Sequence, residues 1–156
     1  MGVCPLNQGD DMKVYHYTKE QHLPRILESG VLKLEEPYVG AGVRTLRPEQ
    51  CLLWMTADIY VPNTARPVST SYSGPLPYLD INWVRFVFDS DDPRIFKWTT
   101  YSKNIRGSKW KAHMKNMAAR QGDDIRLWWV SPEPLEIGDY EEATVRPGAP
   151  TTRPRA

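Results

Sequence analysis

Trp83-Val84-Arg85-Phe86-Val87-Phe88 is the densest run of β-branched and aromatic residues in the chain, and it halts on Asp89-Ser90-Asp91-Asp92-Pro93, which is turn chemistry. The other strand-like runs are as short: Lys13–Thr18, Val31–Leu34, Cys51–Thr56, Leu127–Ser131 and a weaker stretch, Glu141–Val145. Between them lie two long segments punctuated by proline and glycine, Glu35–Gln50 and Ala57–Asp80. Loops of that length inside a domain are commonly functional. Short strands, long loops and few helices predict an α+β domain and argue against a doubly wound sheet.

Two helices are expected. The first follows the opening strand. It starts either at a Thr18/Gln21 capping box or at Leu23, with Pro24 in the first turn, where proline is tolerated. The second phase is preferred, because Pro24 inside a helix would break it. Leu23, Ile26 and Leu27 then form the buried face, and Gly30 takes the position after the last turn. The second helix spans Ser108–Gln121, with Ser108 as N-cap and Gly122 as stop. Trp110, Met114, Met117 and Ala118 face the core, and Lys109, Lys111, Lys115 and Arg120 face water.

A length of 156 residues suits one domain, expected over 13–145, with a flexible lead-in at 1–12 and a disordered basic tail at 146–156. No apolar run approaches the length of a transmembrane helix, and the start lacks a signal-peptide core. Cys4 and Cys51 have no metal-type spacing and are expected as reduced thiols of a cytoplasmic protein. With three histidines and no His/Cys cluster, no metal is expected, and a monomer is expected.

Four constellations could carry chemistry. His16 sits between Tyr15 and Tyr17, just before Thr18, at a strand end. Such a histidine can hold a ligand, although a satisfied sheet residue has the same local sequence. Arg44 and Arg47 lie on the first long loop, and their guanidinium forks suit a pyrophosphate. The run from Arg94 to Arg120 holds Lys103, Arg106, Lys109, Lys111 and Lys115 among its cations. It contains no acid, and Phe96, Trp98, Tyr101 and Trp110 are interleaved. That combination suits a phosphate-bearing partner with stacking bases, or else a solvated face balanced by acids elsewhere. Last come the carboxylates around the Trp128-Trp129 strand, of which Asp124 and Glu133 are best placed. Walker, G-x-G-x-x-G, G-x-S-x-G and H-E-x-x-H patterns are all missing.

Tyr15-His16-Tyr17-Thr18 followed by Leu23-Pro24-Arg25-Ile26-Leu27-Glu28-Ser29-Gly30 resembles the opening of the NAD-using ADP-ribosyltransferase superfamily. The branch it is most similar to contains the DarT-type toxins that modify DNA. It is also similar to short phage and actinobacterial proteins that share the Y-H-Y-T opening and a W-x-T strand. The resemblance implies two small packed β-sheets with few short helices and long loops. It implies NAD as substrate, with His16, Tyr17 and Thr18 on the dinucleotide and Arg44 or Arg47 on its phosphates. Trp54 and Thr56, on the family's second core strand, would join them. It further implies mono-ADP-ribosyl transfer to a DNA or RNA acceptor, a protein acceptor being left open, with Lys103, Arg106, Lys109, Lys111 and Lys115 on the acceptor side. The family's catalytic glutamate stands at the start of the late strand, where this chain reads Asp124-Ile125-Arg126. Asp124 would substitute, or Glu133 or Glu142 would reach in from another register, or the transferase chemistry is lost.

Overall fold

The computed structural model describes residues 12–34, 48–66, 68–69, 72–75 and 81–147. Two strands dominate it: β1 (Lys13–Lys19) and β6 (Trp83–Asp89), the runs richest in β-forming side chains. They pair antiparallel along their whole length, from Lys13↔Asp89 to Lys19↔Trp83. With β3 (Leu53–Thr56), β7 (Phe96–Lys97), β8 (Trp128–Ser131) and β10 (Tyr140–Ala143) they form a six-stranded sheet in the order β10-β6-β1-β3-β8-β7. Every pairing in it is antiparallel. β2 (Val31–Leu32) pairs with β9 (Leu135–Glu136), and β4 (Val68–Ser69) pairs with β5 (Tyr72–Pro75). The α+β class holds. Among the described residues the β-structure takes the form of one six-stranded sheet and two two-stranded ladders.

Side-chain alternation divides the sheet into two faces. On one, Val14, Leu53, Met55, Val84 and Phe86 form a single core with Leu32, Ile95 and Leu135, closed by Leu23 and Ile26 of helix α1 (Leu23–Ser29). On the other, the apolar residues fall into two clusters. Tyr17, Val61 and Trp83 make the first, with Tyr15 packed against them. Leu52, Trp98, Trp110, Ala118, Trp128 and Val130 make the second, with Trp54 and Met114 beside them. The second lies under α2 (Trp98–Tyr101) and α3 (Ser108–Gln121).

Both helix expectations meet the structure, with local corrections. α1 starts at Leu23 with Pro24 in its first turn and ends on Gly30 at φ 73°, while β1 runs on to Lys19 and a 3-10 turn, Glu20–His22, fills the gap. No side chain caps that turn, so the Thr18/Gln21 box does not form. Leu27 is 43% exposed and does not share the buried face, because α1 is only two turns long and only Leu23 and Ile26 reach the core. α3 spans the expected residues, but its N-cap is Gly107 at φ 108° and not Ser108. That left-handed φ selects glycine, and a Cβ there would also press on the end of the Gln50 side chain.

Candidate functional site

β1 and β3 share only one ladder pair, Tyr15↔Thr56, although both strands continue beyond it. The sheet parts at this seam, which is also where the second face divides into its two clusters. A cavity of about 430 Å³ occupies the division, within the range of small-molecule sites. Tyr15, Tyr17 and Trp83 line it from one cluster, and Trp54, Trp110 and Trp128 from the other. Met114 and Met117 of α3 complete the apolar wall. Thr18, Lys19, His22 and Thr64 supply polar groups.

His16 spans the seam. It is 9% exposed, and its Nδ1 lies 2.8 Å from the Trp54 carbonyl oxygen. A carbonyl only accepts, so Nδ1 carries the proton of the neutral ring. The imidazole thereby joins the two strands where their ladder has stopped. Tyr17 is as firmly held. Its hydroxyl donates to the Asp58 carbonyl at 2.6 Å and accepts from Arg85 Nη1 at 3.3 Å. Burial pushes its pKa up to about 12, against the opposing pull of the Arg85 guanidinium. Arg85 also lies 4.1 Å from the centre of the Tyr15 ring and donates to Ile59 O and Glu141. Thr56 is buried, and its hydroxyl accepts the Asp58 N–H.

The far wall, Pro62–Ala65, contains a 3-10 turn whose N-cap, Pro62, has no acceptor side chain. Asp123 supplies one from just beyond α3. Its two carboxylate oxygens accept the N–H groups of Asn63 (3.0 Å) and Thr64 (2.7 Å), while Asn63 Nδ2 donates to the Gln121 carbonyl. The wall is thus fastened to the helix that carries Trp110, Met114 and Met117.

The structure therefore brings His16, Tyr17, Thr18, Trp54 and Thr56 together around one cavity. Arg44 and Arg47 lie outside the described residues. Asp124 does not line the cavity. It caps the 3-10 turn Ile125–Leu127, and Arg126 engages both its oxygens, holding the carboxyl below the usual range through that side chain and its backbone N–H. Glu133 is exposed, in a turn closed by the Ser131 hydroxyl, and does not line the cavity either.

The basic run splits. Lys103, Lys109 and Lys115 are exposed, but Lys111 Nζ donates to the Ser102 and Ile105 carbonyls at 2.8 Å each. Lys111 thus ties the segment before α3 to the helix, and is not part of a wet face. Arg106 is exposed, and Glu49 accepts its backbone N–H. Arg94 pairs with Asp92 and Glu136.

Lys19 and His22 also line the cavity without having been singled out in the sequence, where only the place of Lys19 directly after Thr18 was a signal. Sequence reasoning also missed Trp83, which joins the site only through the register of β6 against β1. Among the described residues no helix is long and apolar enough to cross a membrane. Set against known protein families, curated proteins and solved structures, the chain matches none.

Proposed function

We propose that this chain is an ADP-ribosyltransferase-like domain that binds NAD in the cavity at the β1–β3 seam. One observation carries the reading. His16, Tyr17 and Thr18 from one strand, and Trp54 and Thr56 from another far away in sequence, wall the same cavity. Those are the described residues that the resemblance assigns to the dinucleotide. Aromatic walls suit the planar rings of such a ligand, and convergent polar groups suit its ribose and phosphates. In transfer, the bond between the ribose and nicotinamide breaks, its electron pair leaves with nicotinamide, and a nucleophile of DNA, RNA or protein takes the ribose carbon. A carboxylate facing the ribose would steady the positive charge that develops there.

A second reading, that NAD is held without transfer, is favoured by one specific placement. Asp124 is committed to Arg126, and Glu133 stands exposed away from the cavity lining. A single experiment separates the two. The full chain is titrated with NAD, followed by tryptophan fluorescence, and is then incubated with NAD and single-stranded DNA while free nicotinamide is measured. Saturable quenching with nicotinamide release supports transfer. Quenching without release, with or without DNA, supports holding. No change in fluorescence or melting temperature at millimolar NAD overturns both.

A further inference from the structure

We infer that Lys19 and His22 form an anion subsite at one end of this cavity, taking the phosphates of a nucleotide whose base lies toward the tryptophan wall. The inference rests on the nucleotide reading of the cavity and assigns it a polarity.

Alternation along β1 puts Lys19 on the face of Tyr15 and Tyr17, and Lys19 pairs with Trp83 across the ladder. The strand then passes directly into the 3-10 turn Glu20–His22, with Lys19 as its N-cap. The turn is only three residues long, so its last residue, His22, stays close to Lys19. Both line the cavity, and both are half-buried. Lys19 makes no ion pair among the described residues. An ammonium that no described carboxylate engages is available to an anion at the cavity end.

His22 is oriented for the same task. Arg25 Nη2 approaches His22 Nδ1 at 3.4 Å. A guanidinium only donates, so Nδ1 accepts and the neutral ring carries its proton on Nε2, as a donor. Arg25 adds a second positive group, after Lys19, behind the ring. Thr18 and Thr64 also line the cavity, and among the described lining residues there is no carboxylate to compete for the Lys19 and His22 donors. The opposite wall is of another kind: Trp54, Trp110, Trp128, Met114 and Met117 bring rings and thioethers, with no charge. A ligand with an anionic end and an aromatic end fits this cavity in one direction.

Tryptophan fluorescence titrations of NAD, ADP-ribose and adenosine test the subsite on the wild type, Lys19→Gln, Lys19→Arg and the double variant Lys19→Gln/His22→Gln, with melting curves confirming that each is folded. NAD and ADP-ribose are expected to bind Lys19→Gln roughly tenfold more weakly, and the double variant more weakly still, while adenosine binds all four alike and Lys19→Arg recovers most of the loss. Wild-type affinity for NAD in the folded double variant overturns the subsite and leaves the nucleotide reading standing, and so does an equal loss for adenosine. If the wild type binds none of the three ligands, the nucleotide reading falls and takes the subsite with it.

Discussion

Tyr17 shows how one buried side chain can serve both the fold and the site. Its ring closes the cluster with Val61 and Trp83, while its hydroxyl holds the Asp58 carbonyl and receives Arg85. Burial favours the protonated phenol, so its pKa in the folded chain, about 12, stands above the ordinary 10.0 of an exposed tyrosine. Its contribution to stability is complete below pH 10 and is lost as pH rises through 12, a loss on the order of 3 kcal/mol. Tyr17→Phe should therefore be less stable than the wild type at pH 8 by about 1 kcal/mol, for the lost hydrogen bonds. It should also decline less steeply between those pH values. Urea unfolding at a neutral and two alkaline pH values measures both effects, and equal alkaline slopes would refute the assignment. His16 and Tyr17 are adjacent in one motif, yet they do different work: the imidazole bridges two strands and the phenol fastens a loop. Local sequence marks the pair as special but does not divide the tasks, because each partner, Trp54 O or Asp58 O, arrives from a distant segment.

At the scale of elements, the turn Asn63–Ala65 depends on a carboxylate that is remote in sequence. Asp123→Ala leaves the Asn63 and Thr64 N–H groups without their acceptor, and the loss should cost about 1–2 kcal/mol, as for a helix cap. Because the turn is a wall of the cavity, amide hydrogen exchange at Asn63 and Thr64 should quicken more than exchange in β1 or β6. Asp123→Asn, which keeps one acceptor oxygen, should fall between. Uniform acceleration across the chain would show a global loss of stability and no local clamp. Helices α1 and α3 and the longer strands were legible because each carries its own signals: Pro24 and Gly30 bracket α1, Gly122 ends α3, and alternating β-branched and aromatic residues mark β1 and β6, whereas the single-turn α2 was not. β7 and β9 were not, since two residues hold no periodicity and exist as strands only through their partners β8 and β2. The same limit hid Asp123, which reads in sequence as one acid among several and gains its role from tertiary contact.

Across the whole molecule, charge is sorted by the order of the strands. β10, at one edge of the large sheet, carries exposed Glu141 and Glu142, with exposed Asp139 just before it. The other edge is β7, with Lys97, and the α2–α3 layer on that half exposes Lys103, Lys109, Lys115 and Arg120. The formal net charge of +1 conceals this polarity, and so did the sequence run, whose Lys111 is spent on backbone carbonyls and whose Arg94 is paired. A polyanion should meet the β7–α3 side, by charge alone and without sequence preference. Retention of the full chain on immobilised single-stranded DNA should weaken as salt rises. The triple variant Lys103→Glu/Lys109→Glu/Lys115→Glu should elute at lower salt, with a slope of log affinity against log salt flatter by about two, since each phosphate contact on a single strand contributes roughly 0.7. Lys111→Gln should instead lower the melting temperature through its two lost carbonyl contacts while changing the salt slope by less than one contact. Glu142→Lys, on the acidic edge, should leave the slope unchanged. If all of these variants elute together, the basic side is a solvated surface and no polyanion site.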